Sequence, residues 1–206
     1  MRLSDFGFKC FSQGDEDGIL AEILRRLEIQ TGRFVEIGVG PGGENNTRWL
    51  AENGWYGLWI GQELLAAHPA GVAFLQATVT PATAPSLVGP TPCGVFSLDI
   101  DGNDFWVLKA LLESGFQPQI IIVEYNGTYD AETRYVMPYL PNYEWHTGQP
   151  FGASLASWTD LLDQYGYTLV ECSSSGVNAF FVQDGGPFFD VLLDRESLYR
   201  PLQIVC

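Results

Sequence analysis

The sequence predicts an α/β protein with a mostly parallel sheet and helices on both faces. Three observations carry this prediction. Strand-like and helix-like segments alternate along the chain, a glycine-rich turn follows the first apolar strand, and residues 119–125 contain an apolar run without alternation. Such a run is typical of a central parallel strand that is covered on both faces. We expect one domain over residues 1–206, because this length and a hydrophobic content of 46% suit a single core.

The first half of the chain alternates helices and strands. Apolar residues recur at helical spacing in the predicted helices, whereas the predicted strands are short apolar runs bounded by glycine, proline or asparagine. The passage 81–92 is rich in proline and precedes the apolar run at 95–98. In order, the predicted elements are a helix at 16–29, a strand at 34–37, a helix at 47–53, strands at 56–60, 73–80 and 95–98, and a helix at 104–114.

The second half begins with the buried strand at 119–125 and closes with a strand pair. Residues 127–153 are rich in Gly, Pro, Tyr and Trp and are longer than an ordinary connection, which predicts a lid or substrate loop. Apolar residues at helical spacing indicate a helix at 154–165. Two further apolar runs, 167–171 and 179–183, flank a Ser- and Gly-rich turn and predict a hairpin.

The charge of the chain limits its partners. Ten basic and twenty-five acidic residues give a net charge of −15, which repels phosphate backbones and anionic lipid surfaces. We therefore expect a small-molecule substrate, with neither nucleic acid nor a membrane as partner. No segment reaches the roughly 18 apolar residues of a membrane span. The cysteines Cys10, Cys93, Cys172 and Cys206 lack Cys-x-x-Cys spacing, so we expect a cytoplasmic protein with reduced thiols; the oligomeric state stays open.

The turn after the first strand has the composition of a nucleotide-binding turn. Glu36 precedes glycines at positions 38, 40 and 42, which allow a ligand to approach the backbone closely, and residues 45–47 can cap the next helix. The spacing differs from Gly-x-Gly-x-x-Gly, and the acid stands before the glycines instead of about twenty residues after them. This favours S-adenosylmethionine over NAD, with Glu36, Gly38, Gly40 and Gly42 as cofactor contacts. The alternative is a purely structural turn.

Polar residues also follow the fourth and fifth predicted strands. Asp99 and Asp101 end one, while Glu124 and Asn126 end the other. Because the carboxyl ends of parallel strands share one edge, these oxygen donors are expected to converge and to suit Mg²⁺, Mn²⁺ or Ca²⁺. Without a cation, some of the carboxyl groups would have to take up protons or stay hydrated. The alternative assigns Asp101 and Asp104 to helix capping.

His146 is the candidate general base of the predicted lid. An imidazole titrates near neutral pH and can accept a proton from an acceptor hydroxyl. Asp101 is the second candidate for this role. An exposed loop histidine without a catalytic function is the alternative for His146.

Over nearly its whole length the chain resembles the FkbM-type branch of class I S-adenosylmethionine-dependent methyltransferases. The resemblance rests on Phe-Ser-Gln-Gly-Asp-Glu-Asp-Gly-Ile-Leu (11–20), Val-Glu-Ile-Gly-Val-Gly-Pro-Gly (35–42), Glu-Asn-Asn-Thr (44–47), Ser-Leu-Asp-Ile-Asp-Gly-Asn-Asp (97–104), Val-Glu-Tyr-Asn (123–126), Phe-Gly-Ala-Ser-Leu (151–155) and Ser-Gly-Val-Asn-Ala-Phe-Phe-Val (175–182). It implies a Rossmann-like sheet of seven strands with one antiparallel strand, and a methionine-side role for Asp99. By analogy with catechol-type O-methyltransferases, it also implies metal ligands at the ends of the fourth and fifth strands, although their catalytic lysine has no counterpart near Gly102.

One departure concerns the ribose of the cofactor. Methyltransferases of this kind usually end the second strand with an acid that binds the ribose hydroxyls, but Gly61 occupies that position here. Gln62 or Glu63 is expected to substitute. If neither does, the lost hydrogen bonds would weaken cofactor binding by about 1.5–3 kcal/mol.

These observations predict transfer of a methyl group to a hydroxyl of a small polar acceptor, such as a sugar or a natural product, with assistance from a divalent ion. Transfer of the aminocarboxypropyl group of the cofactor stays open. Two alternatives belong to other classes. A nucleotide-sugar glycosyltransferase would use Asp99-Ile-Asp101 as a metal-diphosphate clamp. A non-catalytic binding module would keep the glycine turn only as part of the fold, and the missing acid at Gly61 favours this second alternative.

Overall fold

The computed structural model describes residues 1–184 and 194–203, so Cys206 lies outside the described residues. These ranges form a seven-stranded sheet with helices packed against it. The strands are β1 (Arg33–Ile37), β2 (Tyr56–Gly61), β3 (Val72–Gln76), β4 (Val95–Leu98), β5 (Ile120–Glu124), β6 (Tyr167–Cys172) and β7 (Asn178–Gln183). The α-helices are α1 (Glu16–Arg26), α2 (Arg48–Glu52), α3 (Ala84–Val88), α4 (Asp104–Glu113), α5 (Leu155–Asp163) and α6 (Arg195–Leu198), after a short 3-10 helix (Leu3–Phe6).

The strand order is β3-β2-β1-β4-β5-β7-β6. The first five strands in this order, β3-β2-β1-β4-β5, are parallel to their neighbours, whereas β7 runs antiparallel to both β5 and β6. This is a Rossmann-like arrangement with the single antiparallel strand that the resemblance implies. It confirms the fold class expected from the resemblance.

Alternate residues of the central strands enter two hydrophobic cores, one on each face of the sheet. In β1, Val35 packs in the core that contains α4 and α5, whereas Phe34 packs in the core that contains α1. In β5, Ile121 belongs to the first core and Ile120 to the second. An apolar run without alternation is therefore needed in β5, because both of its faces are covered.

Several predicted boundaries differ from the structure for local reasons. Helix α1 ends before residue 29, because the backbone of Glu28 turns to a φ of 57°. The proline-rich passage 81–92 contains α3, a helix that the sequence did not predict. Pro85 lies in the first turn of α3, where a missing N–H is tolerated, and Gly89 ends the helix with a φ of 72°.

The carboxyl ends of β1, β4 and β5 meet at one edge of the sheet. Glu36 of β1 pairs with Ser97 of β4, and Leu98 of β4 pairs with Val123 of β5. The antiparallel strand β7 begins at the same edge, where its first residue, Asn178, is opposite the last residue of β5. The polar residues at these strand ends are therefore neighbours.

Two segments cover this region. Residues 127–153, all described, contain no helix or regular strand, only the isolated bridge between Val136 and Ala153. After α6, the chain passes close to Gly127 and Gly176, and the amide of Leu202 donates to the Gly127 carbonyl at 3.0 Å. The tail thereby fixes the start of the long loop.

Within residues 1–184 and 194–203, no helix has the length and apolar character needed to cross a membrane.

Candidate functional site

The glycine turn packs directly on the end of β4. Gly38 has a φ of 96°, and a Cβ atom at this position would overlap the backbone carbonyl oxygen of Asp99. Gly40 has a φ of 48°, and no atom lies within 4 Å of the position that its Cβ would occupy. The Gly42 amide closes the turn by donating to the Val39 carbonyl at 2.9 Å. The turn therefore combines one tightly packed glycine with one that faces open space.

Glu36 supports the far end of this turn. Its carboxylate accepts from the backbone amides of Asn46 and Thr47, at 2.9 and 3.1 Å, and from the Thr47 hydroxyl. The indole of Trp59 donates in turn to that hydroxyl oxygen at 2.9 Å. Burial raises the pKa of Glu36, and the bonds from Thr47 and Asn46 lower it in part.

The prediction that residues 45–47 cap the next helix through their side chains is wrong for Thr47. Thr47 occupies the N-cap position of α2 but makes no side-chain capping bond, because its hydroxyl donates to Glu36. Glu36 is thus committed to the turn, and its contact with a cofactor stays a prediction.

Asp99, Asp101 and Glu124 come together as expected. Each offers a carboxylate oxygen, and these oxygens all lie within 4.8 Å of one another. Asp101 is exposed and has a φ of 57°, a conformation that residues other than glycine rarely adopt. Oε2 of Glu124 is buried and has no hydrogen-bond partner among the described residues. This acidic cluster therefore contains a buried carboxyl oxygen to which no group of the described residues donates a hydrogen bond.

Burial changes the titration of the acidic cluster. It raises the pKa of Asp99 well above its ordinary value, and the nearby charges of Asp104 and Asp101 raise it further. Burial also raises the pKa of Glu124, with the charge of Asp99 as the next cause. Two carboxyl groups this close need a proton or a cation between them.

Asp104 braces the turn that carries the cluster. Its two carboxylate oxygens accept from the amides of Ile100 and Gly102, at 2.7 and 2.8 Å. Burial raises the pKa of Asp104 to about 6, against the lowering effect of these amides. Asp104 lies in the first turn of α4, where an acid favours the helix end, as the alternative expected. Side-chain capping by Asp101 or Asp104 is wrong, because Asn103 is the N-cap residue and the Asp104 carboxylate binds backward along the chain.

Asn126, the fourth predicted ligand, is occupied by its own turn. Its side-chain oxygen accepts from both the amide and the hydroxyl of Thr128, and its side-chain nitrogen donates to the Phe151 carbonyl at 3.1 Å. Its backbone amide donates to Ala153. Asn126 thus joins the two ends of the long loop, and it would have to release Thr128 to bind a metal ion.

The end of β2 shows why a side chain is missing at position 61. A Cβ atom on Gly61 would lie 2.9 Å from Cγ2 of Val39, inside normal contact distance. The predicted substitutes, Gln62 and Glu63, are both exposed, and the Gln62 carbonyl accepts from Gln76 at 3.0 Å. Val39 therefore occupies the space that an acid at position 61 would need.

The long loop is attached to the start of α4, next to the acidic cluster. The Asn103 side chain donates to the Leu140 carbonyl at 2.8 Å and accepts from the Leu140 amide at 3.1 Å. Trp106 donates to the Met137 carbonyl at 2.8 Å. His146 lies farther along the loop, exposed in a turn, and its ring makes no hydrogen bond within the described ranges. The loop is thus attached beside the acidic cluster, whereas its function as a lid and a catalytic role for His146 stay predictions.

Sequence reasoning missed the buried polar residues behind the site. Glu16, Asn46, Ser97 and Asn178 are all buried and form one hydrogen-bonded chain. Each lies in a motif that carries the resemblance, so the motifs were the available signal. Their chemistry could not be read from spacing, because the four residues come from distant parts of the sequence.

Comparisons with known proteins agree with this fold. No protein-family model and no curated protein matches the sequence. Among solved structures, the chain is similar to a proposed hemolysin from Lactococcus lactis, with a TM-score of 0.54 and 12% identity over 92% of this chain and 97% of that chain. It is also similar to a proposed O-methyltransferase from Klebsiella pneumoniae, with a TM-score of 0.47 and 16% identity over 87% of this chain and 84% of that one. A third similar structure is the N-terminal domain of EvdMO1 in the presence of S-adenosylhomocysteine and D-fucose, with a TM-score of 0.49 and 15% identity over 86% and 89% of the two chains.

Proposed function

We propose that this protein is an S-adenosylmethionine-dependent methyltransferase that acts on a hydroxyl group of a small polar acceptor, such as a sugar or a natural product, with help from a divalent cation. The observation that carries the proposal is the position of the glycine turn beside the acidic cluster, at the carboxyl ends of β1, β4 and β5. Ligands of open α/β sheets bind at this edge. The FkbM-type branch of these enzymes is the part of the family that the sequence motifs favour.

Two features of the site support this cofactor, namely the open space at the glycine turn and the acidic side chains beside it. The open space at Gly40 allows a ligand to contact the backbone of the turn. Asp99 forms no ion pair with a Lys or Arg of residues 1–184 or 194–203. Unneutralised carboxylates favour a ligand that carries sulfonium and ammonium charges. S-adenosylmethionine supplies an activated methyl group, which leaves sulfur as S-adenosylhomocysteine forms.

The acidic cluster fits a divalent cation. Its donors are carboxylate oxygens, the ligands that Mg²⁺, Mn²⁺ and Ca²⁺ prefer. The buried Oε2 of Glu124 has no other partner, which is the kind of oxygen that a cation would satisfy. A cation held here would lower the pKa of the acceptor hydroxyl and orient it.

The protein side chains then position the acceptor and take its proton. Asp101 is exposed at the edge of the cluster, so its carboxylate is the proposed proton acceptor. His146 on the long loop is the alternative proton acceptor. The loop, held at Asn103 and Trp106, would exclude water and hold the hydroxyl oxygen in line with the methyl group.

Calorimetry with a matched pair of glycine variants tests the proposal. Gly40 and Gly89 both have positive φ angles and open space around the Cβ position, but only Gly40 lies in the glycine turn. Wild type should bind S-adenosylmethionine and S-adenosylhomocysteine, with and without Mg²⁺. Gly40→Ala should weaken binding at least about tenfold, because its methyl group enters the space of the ligand, whereas Gly89→Ala should stay within about twofold.

Absence of binding to wild type, or equal effects of the two substitutions, would contradict the proposal. Binding of a uridine or guanosine diphosphate with Mn²⁺, without binding of S-adenosylmethionine, would favour the glycosyltransferase.

A non-catalytic binding module is the second candidate, and the contact of Val39 with Gly61 favours it, because a side chain at position 61 would lie 2.9 Å from Cγ2 of Val39. Such a module would show no methyl transfer from radiolabelled S-adenosylmethionine to any hydroxylated acceptor.

A further inference from the structure

Asn46 is a buried residue, 8% exposed, that is bonded to three strands of the sheet. Its backbone amide donates to Oε1 of Glu36 in β1 at 2.9 Å. Its side-chain nitrogen donates to Oγ of Ser97 in β4 at 3.1 Å and to Oδ1 of Asn178 in β7 at 3.4 Å. One residue of the loop after β1 is therefore fixed from three directions.

Two of these bonds lead to the acidic cluster. Ser97 lies near the end of β4, and Asp99 is the first residue after that strand. Asn178 stands opposite Glu124 in the β5–β7 ladder. Asn46 thus connects the glycine turn with both strand ends that carry the carboxylates.

The neighbours of Asn46 require a hydrogen-bond donor at this position. The side-chain nitrogen of Asn178 donates to Oε1 of Glu16 at 3.2 Å, which leaves Oδ1 of Asn178 to face Asn46. The other oxygen of Glu16 accepts from the Gly14 amide, and Glu16 is 1% exposed. An acceptor at position 46 would therefore face another acceptor in a buried site.

We propose that Asn46 is a positioning residue, which sets the glycine turn at the separation from the acidic cluster that cofactor binding requires. This inference rests on the proposed function. Asn46 acts through Glu36 and through the strands that it joins, and it need not touch the cofactor. The proposal gives a role to the motifs at 11–20 and 175–182, which contribute Glu16 and Asn178 and which the reaction itself does not use.

The test compares Asn46→Ala with Val182→Ala. Val182 is buried in the same strand as Asn178 but pairs with Ile120 at the opposite edge of the sheet. Both truncations remove buried atoms and lower the melting temperature. Affinity for S-adenosylhomocysteine is measured by calorimetry at a temperature at which circular dichroism shows both variants to be folded.

Asn46→Ala should weaken binding at least about tenfold, while Val182→Ala should stay within about twofold of wild type. Ser97→Ala, which removes one of the two side-chain bonds, should give an intermediate loss of about threefold. A purely structural role predicts that affinity follows melting temperature in all three variants, and that result would overturn the proposal.

Failure of the proposed function is distinguishable from failure of this inference. If wild type binds no S-adenosylhomocysteine, the proposed function fails, and the positioning role is then read from amide NMR signals. Those of Gly38, Gly40 and Gly42 should shift in Asn46→Ala and stay in place in Val182→Ala. Unshifted signals in Asn46→Ala would overturn the positioning role.

Discussion

Gly38 lies so close to the backbone carbonyl oxygen of Asp99 that no side chain fits between them. The amide of Gly38 also donates to the Ile60 carbonyl of β2 at 2.9 Å. The start of the glycine turn is therefore held by backbone contacts to both neighbouring strands. Gly40, which faces open space, remains free to meet a ligand.

Gly38→Ala should strongly destabilise the protein. The new methyl group would overlap the Asp99 carbonyl oxygen, and the φ of 96° adds backbone strain. We expect the free energy of unfolding to fall by at least about 3 kcal/mol. Gly40→Ala, which brings strain without overlap, should lose only about 1 kcal/mol. Urea denaturation followed by circular dichroism measures both, and equal losses would contradict the packing described for Gly38.

Val39 should control whether an acid can be placed at position 61. Gly61→Asp alone should lower stability without tightening S-adenosylhomocysteine binding, because its Cβ atom would lie 2.9 Å from Val39. The double variant Gly61→Asp with Val39→Ala has room for the carboxylate, which can then accept hydrogen bonds from the ribose. It should bind S-adenosylhomocysteine about tenfold more tightly than Val39→Ala alone. Calorimetry measures both affinities. A single Gly61→Asp variant that binds as tightly as the double variant would show that Val39 is no obstacle.

Glu124→Gln should stabilise the protein near neutral pH when EDTA is present. Burial and the charge of Asp99 raise the pKa of Glu124 in the folded state. The stability linked to such a group is present below its ordinary pKa and is lost as the pH rises through the folded-state value. Glutamine stays neutral, so the variant should exceed wild type by about 1 kcal/mol near pH 7.5, a figure that allows for partial solvent exposure, and the difference should vanish near pH 4.

Urea denaturation across this pH range measures the effect. Glu113→Gln is the control. Glu113 is exposed on α4 and pairs with Lys109, so this substitution should not stabilise the protein. A Glu124→Gln variant that is less stable than wild type near neutral pH in EDTA would contradict the expectation. Added Mg²⁺ should reverse the order, since only wild type keeps all three carboxylates of the acidic cluster.

Asn103→Ala should release the long loop without unfolding the sheet. The substitution removes both hydrogen bonds to Leu140, while the bond from Trp106 to Met137 remains. Limited proteolysis should cut residues 127–153 faster than in wild type, and the melting temperature should fall by no more than a few degrees. Asn53→Ala is the control, because its side chain bonds only to Trp49 within the first described range. Unchanged cleavage would show that Asn103 does not hold the loop.

Most of the sheet could be predicted because each strand has a local pattern. The predicted strand at 95–98 coincides with β4, and the helix predicted over 104–114 is one residue longer than α4. The helices α3 and α6 were missed. They have five and four residues, and helices this short depend on tertiary packing more than on local propensity.

The acidic cluster could be predicted because parallel strands end at a common edge, which places Asp99 near Glu124 without knowledge of side-chain contacts. The hydrogen-bond partners of Glu36 and Asn126 could not be predicted from the sequence. Which donor a carboxylate or an amide oxygen accepts from depends on the path of the backbone in the adjoining turns. Alternatives that are equal in sequence, such as helix capping and turn bracing by Asp104, are therefore separated only in three dimensions.

The position of β7 between β5 and β6 has a consequence during synthesis. The ribosome produces β6 before β7, yet β6 takes its place in the sheet only through β7. Until residues 178–183 emerge, the backbone of Ile120, Ile121 and Ile122 has no partner on that side. Unpaired apolar edges are where nascent chains associate with one another. The nascent chain should therefore need chaperones most while β5 is complete and β7 is not yet synthesised. A chain truncated before residue 178 should aggregate, even though it contains every acidic residue of the cluster.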